Sequence, residues 1–256
     1  MGRIIAIANQ KGGVGKTTTN INLSTCLAQE GKRVLVADMD PQGNTTSGFG
    51  VDKKALSRTI YNLLLGDDGY IEQVVRPTMV EGLRLLPANI NLSGAEIELV
   101  DQPKREYLLR AILNHMKYLY DYILIDCPPS LNLLTLNALC AADTVLVPIQ
   151  CEFYAMEGLS QLMHTIGLVQ RKLNPRLTIE GVVFTMFDAR TNLSTQVVDE
   201  VKAHLSEYTY QTIIPRNVRL SEAPSHGLPI TLYDDKSKGA EAYRLLAQEV
   251  IARGNK

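Results

Sequence analysis

The sequence predicts an α/β fold, a mostly parallel twisted sheet flanked by helices on both faces. Three observations carry this expectation. Short continuous apolar runs read as strands covered on both sides, and longer helix-period segments alternate with them. A glycine-rich turn joins the first run to the first helix. The chain has 256 residues, 45% hydrophobic and 21% charged. That length suits one α/β domain or two small ones. No repeat, low-complexity run or Ser/Gly/Pro linker divides it, so one domain over residues 1–256 is expected.

The elements follow in order. Ile4–Ala8 is the first apolar run, and Lys16–Gln29 the helix after the glycine turn. Val34–Ala37 and Leu83–Pro87 are the next strands, then a helix over Arg105–Lys117. The strand Tyr122–Ile125 ends before Pro128 and Pro129, which block regular continuation, and a helix is expected over Leu131–Ala141. Strand Thr144–Ile149 precedes helix Gly158–Leu173, and strand Gly181–Phe187 precedes helix Leu193–Ser206. A short strand, Thr212–Ile214, and a last helix, Gly239–Ala252, complete the pattern. Ligands of such sheets bind at the carboxyl ends of the strands, so residues 9–17, 38–44, 126–130 and 150–154 are the places to search. The first three carry recognisable chemistry.

Net charge is -1. Residues 1–150 hold 14 Lys and Arg against 15 Asp and Glu, and residues 151–256 hold 12 against 12, so neither half is basic. Any nucleic-acid binding must come from a local patch. Cys26, Cys127, Cys140 and Cys151 form no CxxC pair and read as reduced cytosolic thiols. The apolar run of "MGRIIAIAN" is too short for a signal peptide or membrane span. Ala6 stands where a myristoylation site at Gly2 needs Ser or Thr. A cytoplasmic location is expected.

Residues 9–19, "NQKGGVGKTTT", nearly match a phosphate-binding loop, except that Gln10 occupies the place of its opening glycine and Lys11 follows as a second lysine. Gly12, Gly13 and Gly15, around Val14, allow successive backbone N–H groups to converge on phosphate oxygens. The helix behind them presents its positive end to the same anion. Lys16 would reach the β- and γ-phosphates, and Thr17, followed by Thr18, would ligate Mg²⁺. "LVADMDPQGN" places Asp38 and Asp40 at the second strand's end, with Asp40, before Pro41, better placed to face a γ-phosphate. "YDYILIDCPPS" ends in Asp126, a Walker-B carboxylate that supports the metal or its waters. Taken singly, each Asp reads equally well as a helix cap or loop residue; together beside a P-loop they read as a site.

"KGGVGKTT", "DMDPQGN", "DYILIDCPPS" and "IPRNVRLSEAPSHG" together resemble the ParA/Soj proteins, the deviant Walker-A P-loop ATPases that partition bacterial chromosomes and plasmids. The resemblance runs from about Gly2 to about Ala252. It implies ATP and Mg²⁺ as ligands and a homodimer formed on ATP binding. Lys11 is then the signature lysine, reaching across the interface to the partner's nucleotide, and Gln10 is accommodated by that face-to-face geometry. Asp40 positions or activates the attacking water, and Pro215 and Asn217 lie against the adenine.

The resemblance also implies a DNA-facing surface. Arg190, Arg216, Arg219, Lys236 and Lys238 are scattered along the sequence, and any one of them alone reads as a solvated loop residue. In the family, matching arginines grip phosphates of double-stranded DNA without reading sequence. Arg190 and Arg219 are the leading candidates, followed by Lys236 and Lys238. Dimerisation doubles the contacts, so ATP can switch on nucleoid association although net charge is near zero. A ParB-type protein would trigger turnover. The main alternative, a MinD-like membrane switch, needs a basic amphipathic C-terminal tail. "GAEAYRLLAQEVIARGNK" has little cationic character around Leu245, Leu246, Val250 and Ile251, so no membrane is expected as a partner. An iron–sulfur component would need a second cysteine to partner Cys127, and a metabolic enzyme would need an acceptor site; neither is evident.

Overall fold

The computed structural model describes residues 2–66 and 71–254. Eight strands form one sheet in the order β3-β4-β2-β5-β1-β6-β7-β8. In chain order they are β1 (Arg3–Ile7), β2 (Val34–Asp38), β3 (Arg76–Pro77), β4 (Leu83–Leu86), β5 (Tyr122–Asp126), β6 (Thr144–Gln150), β7 (Thr178–Phe187) and β8 (Thr209–Pro215). All neighbours are parallel except β3, which pairs antiparallel with β4.

The first-face helices come early and late in the chain: α1 (Lys16–Gln29) and, at the C-terminal end, α10 (Val218–Glu222), α11 (Ile230–Tyr233) and α12 (Lys238–Gly254). Between them lie α2 (Asn44–Gly48), α3 (Ile60–Leu64), α4 (Ile71–Val74), α5 (Ala95–Glu98), α6 (Leu108–Met116), α7 (Leu133–Ala141), α8 (Ala155–Lys172) and α9 (Asn192–Leu205). Alternate strand residues feed two cores. Ile5, Ile7, Val34, Val36 and Leu124 join Leu23 and Leu27 of α1 and Tyr243 and Leu246 of α12. Ile4, Ala6, Leu35, Ala37 and Ile125 join Leu109 of α6, Leu134 of α7, Leu162 of α8 and Val201 of α9. Both faces being covered is why the strands read as unbroken apolar runs.

Differences from the sequence reading have local causes. The run before Gly181 is broken by Glu180, yet β7 starts at Thr178 because that carboxylate is satisfied. Arg3 pairs with it at 2.5 Å, and the hydroxyls of Thr144 and Tyr210 donate to it at 2.7 and 2.9 Å. The helix expected from Leu131 starts at Leu133, since the Asn132 side chain caps it by accepting from the Thr135 N–H at 3.1 Å. The helix expected from Arg105 opens as one 3₁₀ turn and becomes α-helical at Leu108. The helices of four or five residues and the two-residue edge strand β3 are too short to show a period.

Candidate nucleotide site

The sheet order fixes the site. β1 lies between β5 and β6, and β2 lies beyond β5, so the loops after all four strands open at one edge. Register brings Ile7, Asp126 and Asp38 side by side across β1, β5 and β2.

The loop after β1 turns into α1 through Gly13 and Gly15, at φ +76° and +85°, a backbone that strains any residue with a Cβ. Gly12 has no such requirement, and a Cβ there would meet nothing within 4 Å. Gly12, Gly13, Gly15, Lys16, Thr17 and Thr18 line a cleft of about 370 Å³ together with Asp40 and Gln42. A second cavity, of about 460 Å³, is lined by Thr185, Met186, Ile214, Pro215, Asn217 and Tyr243. Gly15, Thr18 and Met186 belong to both walls, so the two spaces adjoin. One side presents the glycine turn, Lys16 and Asp40, and the other presents Ile214, Pro215 and Val218 beside Asn217, groups that suit a triphosphate and a base. Val14 is buried behind the loop, where its carbonyl accepts from the Thr185 hydroxyl at 2.9 Å. Asn217 caps α10, its Oδ1 accepting from the Arg219 N–H at 2.8 Å.

The carboxylates separate by environment. Asp40 lines the cleft, its Oδ1 accepting from the Gln42 N–H at 2.9 Å. Asp38 is fully buried and accepts from the Thr46 N–H and hydroxyl at 2.8 and 2.7 Å, so it braces the loop instead of facing the cleft. Asp126 Oδ2 accepts from the hydroxyls of Thr17 at 2.8 Å and Thr45 at 2.7 Å. Its Oδ1 is buried with no hydrogen-bond partner. Burial pushes the carboxyls of Asp38 and Asp126 well above the ordinary range. An orphaned carboxylate oxygen bonded through its twin to Thr17 is a hard-oxygen arrangement that fits Mg²⁺ or its waters. Burial lowers the pKa of Lys16, which is held among Asp126, Cys127 and Asp40. Its ammonium donates to the Lys11 carbonyl at 2.9 Å.

Lys11 itself lies apart. Its side chain does not line the cleft and is instead ion-paired with Glu152. Gln10 reaches the same region, its amide donating to the Thr165 hydroxyl of α8 at 3.0 Å. Asn9 donates to the carbonyl of Pro148 at 2.8 Å. That proline is tolerated within β6 because β1 ends at Ile7, and the last β1 partner of β6 is Leu146. Thr45, Glu152 and Asn9 contact Asp126, Lys11 and the Lys11 N–H respectively, and the sequence singled out none of them. The only signal for Glu152 was its place after a strand.

Arg190 and Arg219 follow β7 and β8, adjacent strands whose ends are tied by the Arg216 N–H donating to the Phe187 carbonyl at 2.9 Å. Both are exposed, and both are paired: Arg190 with Asp188 at 2.6 Å, Arg219 with Glu222 at 2.9 Å and Asp234 at 3.3 Å. Lys236 and Lys238 are exposed close by in sequence to Asp234. The four cysteines are all buried and free. Among the described residues no helix is long and apolar enough to cross a membrane.

Residues 2–179 match a family model described as an AAA domain. The chain is 59% identical over 254 residues to the sporulation initiation inhibitor protein Soj of Bacillus subtilis, covering 99% of this chain and 100% of that protein. It is 52% identical to the chromosome-partitioning ATPase Soj of Treponema pallidum, covering 99% and 98% of the two chains. Among solved structures it is similar to a cobyrinic acid a,c-diamide synthase from Mycobacterium smegmatis with bound ADP and magnesium. That likeness has a TM-score of 0.86 and 39% identity, covering 100% of this chain and 96% of the other.

Proposed function

The chain belongs to the ParA/Soj family of partitioning ATPases, and from that premise we propose that it is a switch whose ATP-bound dimer holds DNA. The dimer grips double-stranded DNA non-specifically on the nucleoid, in the cytoplasm, and a ParB-type centromere-binding protein sets its turnover in chromosome or plasmid partitioning. The observation that carries this reading is the separation of the two lysines. Lys16 faces the phosphate cleft, whereas Lys11 leaves the same loop toward Glu152 and does not line that cleft. A lysine that does not serve its own nucleotide is free to serve a partner's. It would neutralise phosphate charge there as an arginine finger does when supplied in trans.

The roles of the other residues follow from their surroundings. The backbone N–H groups of residues 12–18 and the α1 N-terminus take the phosphates, with Lys16 opposing the β/γ charge. Thr17 and Asp126 would hold Mg²⁺ or its waters, which offset phosphate charge when bound. Asp40, a cleft carboxylate one residue before Pro41, orients the attacking water and accepts its proton. Pro215 and Asn217 line the second cavity, which takes the base. The chain acts as one domain. Arg190 and Arg219 exchange carboxylate partners for DNA phosphates, and Lys236 and Lys238 make further phosphate contacts.

The MinD-like reading finds less support. The apolar side of α12 (Ala240, Tyr243, Leu246, Ala247 and Val250) is consumed in the core, leaving little for a lipid surface. DNA binding with ATP, ADP and no nucleotide, run at several salt concentrations, tests the proposal. ATP-dependent, salt-sensitive binding of unrelated sequences supports it, and nucleotide-independent binding counts against it.

A further inference from the structure

We propose that Glu152 is a positioning residue for Lys11: it holds the ammonium on its own subunit until a partner's nucleotide competes for it. This rests on the reading of Lys11 as a lysine acting in trans. Three successive residues of the loop are bound by one segment of the chain. Asn9 is held by Pro148, Gln10 by Thr165 and Lys11 by Glu152. The first two contacts fix the loop's entry. The third fixes only a side chain, because the Lys11 backbone is already set by its N–H donating to Asn9 Oδ1 at 3.0 Å and its carbonyl accepting from Lys16 at 2.9 Å. The Lys11 ammonium can therefore change partners without moving the phosphate loop.

Glu152 is built in the same way. Its N–H donates to the Gln150 carbonyl at 2.8 Å and its carbonyl accepts from the Ala155 N–H at 2.9 Å, so its backbone is pinned in the turn that opens α8. Its carboxylate is left to engage Lys11. The two side chains are 38% and 43% exposed, so the pair is weak enough to break and is screened by salt. A polyphosphate offers the ammonium more charge and more acceptor oxygens than one carboxylate does. The partner's nucleotide wins that competition, and Glu152 sets how much must be present before it does. Phe153 and Tyr154, next in the turn, are 76% and 64% exposed and pack edge to face on each other. The turn that holds Lys11 thus lies at the surface, open to a second subunit.

The test is sedimentation of Glu152→Gln over a range of protein concentrations at saturating ATP. Two such pairs break per dimer, so the dimer dissociation constant should tighten by about 2- to 30-fold. The gain should shrink as salt is raised, which a purely structural effect would not do. ATP affinity of the isolated subunit and the melting temperature should match the parent chain. Glu152→Asp, which keeps the charge on a shorter arm, should fall between the two. A dimer constant equal to or weaker than the parent's overturns the proposal. So does ATP-driven dimerisation of Lys11→Ala/Glu152→Gln, because the effect would then not act through Lys11. Parent-like dimerisation of Lys11→Ala alone is a different result: it removes the trans reading itself, and this proposal with it.

Discussion

The ammonium of Lys16 donates to the carbonyl of Lys11 at 2.9 Å, while the side chain of Lys11 turns away to Glu152. One short loop thus sends two cations in different directions, and the consequences for each can be measured separately.

Lys16 is the buried cation of the phosphate cleft. Lys16→Ala should weaken ATP binding by about 10- to 150-fold, the loss of one or more charge-assisted hydrogen bonds worth ~1.5–3 kcal/mol. Calorimetry reads this directly. Dimer formation and DNA binding should disappear together. ATP-driven dimers of this variant would mean that the nucleotide sits elsewhere.

Asp40→Ala should leave the cradle intact and lose control of the attacking water. ATP then binds, hydrolysis stalls, and gel filtration shows a long-lived dimer that stays on DNA. Normal turnover would remove Asp40 from this role and return attention to Asp126.

The unpartnered Oδ1 of Asp126 and the Thr17 hydroxyl bonded to its twin are the observations behind the metal assignment. Chelation of Mg²⁺ should abolish turnover, and Thr17→Ala should raise the Mg²⁺ concentration needed for half-maximal rate. A Mg²⁺ dependence unchanged in Thr17→Ala would place the metal on other ligands.

For DNA, Arg190→Ala or Arg219→Ala should weaken binding equally on unrelated sequences and leave ATP binding and dimerisation intact. Each dimer loses two phosphate contacts, so the log–log salt slope should become shallower by up to about 1.8 units. Because Arg190 is held by Asp188, Asp188→Asn should tighten DNA binding. An unchanged slope in the double arginine variant would shift the patch toward Lys236 and Lys238.

A stability prediction comes from the opposite edge of the sheet. Glu180 is 4% exposed and bonded to Arg3, Thr144 and Tyr210, which joins β1, β6, β7 and β8. Glu180→Ala leaves those partners unsatisfied and should cost about 3 kcal/mol in denaturant unfolding. A loss within ~0.5 kcal/mol would show the network to be dispensable.

Much of this architecture was legible in the residues. Seven of the eight strands were readable as apolar runs, the central ones because both faces are covered, and α1 because a glycine turn and a helix share the phosphate loop. Cleft residues close in sequence, such as Gly15 to Thr18, were found by motif. Thr45 and Glu152 were not, because what brings them to Asp126 and Lys11 is the strand order. β5 brings Asp126 to Thr45, and β6 beside β1 brings Glu152 to Lys11. Such pairs are 81 and 141 residues apart and leave no local pattern. The ion pairs that occupy Arg190 and Arg219, with Asp188, Glu222 and Asp234, left no motif to read either.

In the proposed dimer, Lys11 serves the partner's nucleotide. Its most direct test is sedimentation equilibrium of Lys11→Ala at saturating ATP, with bound nucleotide quantified in the same sample. The expected result is one ATP per chain on a species that remains monomeric where the parent chain dimerises. Parent-like dimers of Lys11→Ala, or loss of ATP from its monomer, would contradict it.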